Sequence, residues 1–196
     1  MKPPVLLETK IIAGRYKGRK ILLPAGEGTR PTKNIVRESL FDTLQTELFG
    51  HGFVEVFAGS GSVGLEAASR GCESVCFIEA DRAAYGVLQK NIQSLGVEGA
   101  RSWQGDSFAL LGEAVAYLKL LRQKGWFYFD PPFDIREGQE SVYPQVEALI
   151  AALPIEQTQG VIIEHRSEYA PSDLIGPYHL VKRRKFGKTT LSYYAA

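Results

Sequence analysis

From residue 53 to residue 165 the chain alternates short apolar runs with longer segments of helical length, and few folds accept that rhythm. "FVEVF" (53–57), "SVCFIE" (74–79), "RSWQ" (101–104), "WFYFD" (126–130) and "GVIIEH" (160–165) read as strands. Between them "SVGLEAASRG", ending at Gly71, "RAAYGVLQKNIQSLG", closed by Gly96, "SFALLGEAVAYLKLLRQ" and a segment near 138–152 read as helices. Strands separated by helices of this length build right-handed βαβ units, hence a parallel, doubly wound α/β sheet covered on both faces. The tail breaks the rhythm. "YHLVKRRKFGKTTLSYY" reads as two strands about a basic turn, so the sheet is expected to end in an antiparallel hairpin. Ahead of the alternation, residues 10–23 read as a small hairpin and 24–31 as a loop. Thr32 is the expected N-cap of a helix over about 33–48, where Val36, Leu40, Leu44 and Leu48 recur on one face. Residues 1–31 are therefore expected to form a basic hairpin extension and 32–196 the main domain.

The chemistry gathers at the strand ends. "EVFAGSGSVG" follows the first strand of the alternation and opens a helix; Gly59-x-Gly61-x-x-Gly64 has the spacing of a nucleotide-binding turn, and Glu79 lies 20 residues after Gly59. An acid at that second strand end suits the two hydroxyls of a ribose, whereas the turn alone is also compatible with no ligand. NAD and S-adenosylmethionine both use this geometry. Glu55, just ahead of the turn, is awkward beside a pyrophosphate and acceptable beside a sulfonium and an α-amino group. Asp106, in "QGDSF", suits an adenine amino group, or equally a helix N-cap. The cofactor candidates are Glu55, Phe57, Ala58, Gly59, Ser60, Gly61, Glu79, Ala80, Asp106, Ser107 and Thr32.

"WFYFDPPFD" (126–134) leaves a carboxylate at the tip of a buried strand and follows it with two prolines, neither of which has an N–H for a ladder bond. In a doubly wound sheet, ligands sit beyond the carboxyl ends of the strands where their order reverses, which brings this tip and the glycine turn to one crevice. The Asp130 carboxylate and the Pro131 carbonyl are two acceptors for the N–H groups of a planar exocyclic amine. Pro131 and Pro132 hold the backbone, and Phe133 is placed to stack on a base. Asp130, Pro131, Pro132 and Phe133 are the catalytic candidates.

Charge adds a partner. The formal net charge is only +1, but Lys10 to Arg37 holds eight basic residues and one acid, and 182–188 holds five basic residues and none. Of 23 basic and 22 acidic residues, ten and twenty-one are left elsewhere. Such segregation suggests a polyanion docking on one surface, or else two solvated hairpins. Arg15, Lys17, Arg19, Lys20, Arg30, Arg183, Arg184, Lys185 and Lys188 are the candidates for contacting such a polyanion. Two cysteines and three scattered histidines give no metal-ligand pattern, and no metal is expected. No apolar run has membrane length and the N-terminus does not read as a signal peptide, so a cytoplasmic protein without membrane contact is expected.

With these motifs in view, the chain resembles the bacterial methyltransferases of the RsmD type, which modify a guanine N2 in 16S ribosomal RNA, within the wider group that carries Asp/Asn-Pro-Pro-aromatic motifs. The resemblance runs through "IIAGRYKGRKILLP", "RPTKNIVRESLFDTL", "VFAGSGSVGLEAASRG", "FIEADRAAYGVLQKNI", "FYFDPPF" and the closing basic hairpin; "RPT…VRESLF" is its most specific block. It implies a class I methyltransferase (Rossmann-like) fold with a seven-stranded sheet and a C-terminal antiparallel hairpin. It implies S-adenosylmethionine as cofactor, with Gly59, Ser60 and Gly61 around its methionine part, Glu79 on its ribose, and Asp106 and Ser107 on its adenine. Asp130, Pro131 and Phe133 would hold the target base, and Arg30 and Thr32 would lie over the pocket. The implied partner is 16S ribosomal RNA or the small ribosomal subunit; a monomer is expected, independently of the resemblance. An adenine-N6 methyltransferase, a methyltransferase of glutamine amides, a noncatalytic RNA-binding or assembly module and an NAD-dependent oxidoreductase are the alternatives.

Overall fold

The computed structural model describes residues 7–24, 31–132 and 142–196. Its centre is an eight-stranded sheet in the order Ala100–Gln104, Ser74–Glu79, Gly52–Glu55, Gly125–Phe129, Thr158–Arg166, Thr189–Ala195, Tyr178–Phe186 and Leu174–Ile175. The parallel part comprises β3 (Gly52–Glu55), β4 (Ser74–Glu79), β5 (Ala100–Gln104), β6 (Gly125–Phe129) and β7 (Thr158–Arg166). β10 (Thr189–Ala195) runs antiparallel to β7, β9 (Tyr178–Phe186) to β10, and β8 (Leu174–Ile175) to β9. The expected doubly wound sheet and closing hairpin are both present. The strand count differs by the two-residue edge strand β8, too short to announce itself by periodicity.

The pleat sorts each strand onto two faces. Val54, Cys76, Ile78, Phe127, Phe129, Val161 and Ile163 turn to one face, against Leu111, Ala114 and Leu118 of α4 (Ser107–Leu120) and Val146 and Ile150 of α5 (Tyr143–Ala151). The alternate residues Phe53, Trp126, Tyr128, Ile162, Leu191 and Tyr193 meet Val36, Leu40, Phe41 and Leu44 of α1 (Pro31–Leu44). α1 starts at Pro31, so Thr32 stands inside the first turn rather than at the N-cap; proline suits that first position because its missing N–H would go unpaired there anyway. Each fully buried Val or Phe in these layers contributes about 1.5–3 kcal/mol.

A third cluster on the α1 side joins Leu65 of α2 (Ser62–Ser69) and Leu88 and Leu95 of α3 (Arg82–Leu95) to Val75 and Phe77. Ile11, Tyr16 and Ile21 of the N-terminal segment belong to it as well. That segment pairs β1 (Glu8–Lys10) with β2 (Lys20–Leu22), three residues each. Asp81 caps α3 by accepting the Ala84 N–H at 2.8 Å, and Gly96 closes it at φ 65°. Among the described residues no helix is long and apolar enough to cross a membrane.

Candidate active site

The strand order reverses between β3 and β6, and a cavity of about 580 Å³ opens beyond their carboxyl ends. Its first wall is the glycine turn between β3 and α2. Gly61 precedes α2 in the left-handed region, φ 78°, and a Cβ there would come within 2.4 Å of Leu88 Cδ1. Gly64 lies against the Phe77 ring, where a Cβ would meet Cε1 at 2.5 Å. Gly61 offers α2 no side-chain cap. Glu55, almost fully buried, does that work from the preceding strand: its carboxylate accepts the Val63 N–H at 3.2 Å and the Gly64 N–H at 2.8 Å. In a dinucleotide site, N–H groups at this helix end face a pyrophosphate. Here a carboxylate already occupies them, which repels a pyrophosphate and tolerates a sulfonium.

Glu79 ends β4. Its Oε2 accepts the Gly59 N–H at 2.6 Å and its Oε1 the Asp81 N–H at 2.7 Å, so the carboxylate is fixed by backbone on both sides. A carboxylate has about four lone-pair sites, which leaves each oxygen able to accept from a ribose hydroxyl. Asp106 caps α4, accepting the Phe108 N–H at 3.1 Å, and also lines the cavity. The Ser107 hydroxyl is buried and donates to the Val56 carbonyl, so only the rest of that residue faces the cavity. Phe57 and Phe108, edge to face at 6.0 Å, supply an apolar wall. Residues of this kind fit S-adenosylmethionine: a diol acceptor, an apolar slot for a purine and an acidic, phosphate-averse turn.

On the other side of β3, Asp130 and Pro132 line the same cavity, with Pro131 buried between them. Tyr128, two residues before Asp130 and so on the same face, donates its hydroxyl hydrogen to Glu164 of β7. Burial, then the negative charges of Glu164 and Asp130, hold the Tyr128 hydroxyl well above its usual range. Burial likewise raises the Glu164 carboxyl, opposed by the Tyr128 hydrogen bond and by the charge of Lys33. α1 roofs this end with Lys33, Asn34 and Arg37. Arg37 is buried and donates to the carbonyls of Lys10 (2.7 Å) and Ser62 (3.4 Å), tying the hairpin, α1 and the glycine turn together.

The cavity thus gathers Glu55, Phe57, Ala58, Gly59, Glu79, Ala80, Asp106 and Ser107 with Asp130 and Pro132. It leaves out Ser60, which is fully buried with its carbonyl accepting from Asn91, and Gly61, which turns the chain into α2. Arg30 and Phe133 lie outside the described residues, and so does the side chain of Thr32. Arg37, Tyr128 and Glu164 are not among the candidate site residues, although Arg37 lies within "RPT…VRESLF" and Tyr128 within "FYFDPPF". Tyr128 and Glu164 carry a usable signal all the same: a polar side chain two residues before Asp130, and an acid directly after an apolar run, as Asp130 is. Among the described residues no cluster of three or more potential ligands could hold a metal ion.

The basic residues are dispersed. Arg15, Lys17, Arg19 and Lys20 are exposed on the N-terminal segment, but Lys20 pairs with Glu8 at 2.7 Å and Arg19 donates to the Ser94 carbonyl at 2.6 Å. In β9 the pleat divides the run. Arg184, in register with Leu191, turns to the α1 side, where its guanidinium donates to the Thr43 hydroxyl at 3.4 Å. Arg183 turns to the other face and binds Asp173 at 2.9 Å and the Pro171 carbonyl at 2.6 Å. Lys185 is exposed in β9, and Lys188 in the turn after it.

A doubly wound sheet whose glycine turn is closed by an acid, with a backbone-held carboxylate on one strand tip and Asp-Pro-Pro on another, has the features of a class I S-adenosylmethionine-dependent methyltransferase. The chain belongs to the family described as Conserved hypothetical protein 95, whose model matches residues 9–195. The same family includes the ribosomal RNA small subunit methyltransferase D proteins. The Haemophilus influenzae protein of that name is 33% identical over 138 residues, 69% of each chain. The Escherichia coli one is 35% identical over 126 residues, 64% of this chain and 61% of its own. Among solved structures, the methyltransferase candidate yhhF from Escherichia coli superposes with a TM-score of 0.72 at 28% identity, covering 96% of this chain and 97% of its own.

Proposed function

We propose that this protein transfers a methyl group from S-adenosylmethionine to the exocyclic N2 of a guanine in small-subunit ribosomal RNA. One observation carries the reading: Asp130, at the tip of β6, opens into the same cavity as Glu79 and the Gly59 turn. Relatives named ribosomal RNA small subunit methyltransferase D support the RNA.

The bound cofactor supplies an electrophilic methyl on a sulfonium. The guanine amine is a poor nucleophile, because its lone pair is delocalised into the ring. Asp130 and the Pro131 carbonyl accept its two N–H groups and favour a tetrahedral nitrogen whose lone pair faces the methyl. A carboxylate is too weak a base to deprotonate a neutral aromatic amine beforehand. Asp130 therefore orients first and takes the proton after N2 has become cationic. With that cofactor bound, the N2 lone pair would take up the methyl and S-adenosylhomocysteine would be the leaving product. The base must be single-stranded or flipped out to reach Asp130. Exposed Arg15 and Lys17 on the N-terminal segment and Lys185 and Lys188 on the C-terminal hairpin contact phosphates and set orientation. The enzyme acts as a cytoplasmic monomer in this reading.

The test is methyl transfer from labelled S-adenosylmethionine to small ribosomal subunits, naked ribosomal RNA, DNA and total protein, followed by nucleoside identification. Label in N2-methylguanosine is the expected result. Label in N6-methyladenine or in protein would move the substrate while keeping the chemistry. No label in any acceptor, with cofactor binding intact, would point to a noncatalytic module.

A further inference from the structure

We propose that Glu164, held by Tyr128, is a specificity-determining residue that accepts the N1–H of the target guanine, so that the enzyme selects guanine over purines lacking that proton. The proposal rests on the guanine reading above and names which protein group reads the base.

Glu164 serves neither the cofactor end nor the amine. The last pair of the β6–β7 ladder is Phe129 with Ile163, which makes Asp130, just past the end of β6, the next neighbour of Glu164, two residues inside the end of β7. Tyr128 and Ile162 are also in register, so Tyr128, Asp130 and Glu164 share the face roofed by α1. All three line the cavity. In the sheet order β7 lies on the far side of β6 from β3 and β4, which carry the glycine turn and Glu79. A base whose amine sits at Asp130, facing the cofactor, must extend its remaining edge away from β3, over β7. On guanine that edge carries N2, N1–H and O6 in a row, about as long as the ~4.8 Å between neighbouring strands.

The chemistry fits the position. The Tyr128 hydroxyl donates to Glu164 Oε2 and fixes the carboxylate, which still has lone pairs to offer. Glu164 is nearly buried, so a base that gives it no donor leaves a buried acceptor unpaired. Adenine and 2-aminopurine present a bare N1 lone pair at that point and repel the carboxylate. Recognition by a built hydrogen bond discriminates far more strongly than apolar fit does.

The experiment uses the RNA acceptor identified by that transfer assay, prepared with 2-aminopurine in place of the target guanine. That base keeps the exocyclic 2-amine but has no N1–H. Wild-type enzyme should methylate guanine about 10- to 100-fold faster in kcat/KM. Glu164→Gln keeps an oxygen for Tyr128 and turns an N–H toward the base, so the preference should shrink at least about tenfold, through loss on guanine rather than loss of cofactor binding. Equal rates on the two bases with the wild-type enzyme would overturn the proposal without any variant. An unchanged preference in Glu164→Gln would overturn it as well. Failure of the wild type on guanine itself would be a different result, removing the guanine reading and this assignment together.

Discussion

The carboxylate of Glu66 accepts the Ile12 N–H at 2.7 Å, across 54 positions of sequence, and its other oxygen accepts the Ala13 N–H at 2.9 Å. Glu66 is fully buried in α2, the helix opened by the glycine turn, and Arg70 closes the pair at 2.8 Å. The N-terminal segment is thus bound to the element that shapes the cofactor pocket. Glu66→Ala should cost about 2–4 kcal/mol, because two N–H groups and a guanidinium lose their acceptor together. Chemical denaturation measures that loss, and hydrogen exchange should show residues 8–22 opening before the sheet. Uniform exchange across both would show that Glu66 does not anchor the segment.

Two glycines with nearly equal φ separate backbone strain from crowding. A Cβ at Gly18 (φ +79°) would have nothing within 4 Å, whereas at Gly61 (φ +78°) Leu88 Cδ1 would stand 2.4 Å away. Gly18→Ala should cost about 1–2 kcal/mol from the left-handed conformation alone. Gly61→Ala should cost roughly 1–3 kcal/mol more through overpacking, and should also weaken S-adenosylhomocysteine binding in calorimetry. Equal losses at the two positions would mean that Leu88 moves aside freely.

Asp130 and Glu79 should fail in opposite ways. Asp130→Ala should abolish methyl transfer while leaving cofactor affinity nearly unchanged, since Asp130 lies on the β6 side of the switch. Glu79→Ala should weaken cofactor binding at least about tenfold, because the Gly59 and Asp81 N–H groups lose the acceptor that fixes the turn. Titration calorimetry and single-turnover transfer distinguish the two. Equal loss of both properties in Asp130→Ala would show that its role is misassigned.

The layers and their order were legible because alternation, period and cap residues agreed: Gly96 ends α3 and the Ser74–Glu79 strand has the bounds its apolar run suggested. Asp106 has a cavity position and a capping bond at once, so neither of its two readings displaces the other. What a linear reading could not show is register. The basic run at 182–188 looks like one patch until the pleat sends Arg183 and Arg184 to opposite faces. Glu164 joins Asp130 only through the β6–β7 pairing, and Arg37 reaches the site only because α1 folds back over it. Local chemistry was written in the motifs; convergence was written in the sheet.

If the N-terminal segment docks RNA, its residues should not contribute equally. Lys17 is exposed, whereas Lys20 is already paired with Glu8. Neutralising Arg15 and Lys17 should flatten the dependence of log K on log salt by about 0.7–0.9 for each phosphate no longer neutralised. Lys20→Gln should change the slope less. Binding titrations from low to moderate salt measure both, and an unchanged slope in the double variant would remove this segment from the RNA surface.

Glu164 should trade stability for function. Burial raises its carboxyl above the ordinary 4.5, against the Tyr128 hydrogen bond from β6 and the Lys33 charge from α1 that pull the other way. A raised acid binds its proton more tightly in the folded state than in the unfolded chain. Stability linked to it is therefore full below the unfolded pKa and is lost as pH rises through the folded one. Glu164→Gln removes that titration while keeping an acceptor for Tyr128. The variant should gain stability relative to wild type as pH rises from about 4 to 8, even as its selectivity for guanine falls. Thermal unfolding of both proteins across that range measures the gap, and a gap that narrows with rising pH would mean that the folded site favours the ionised carboxylate.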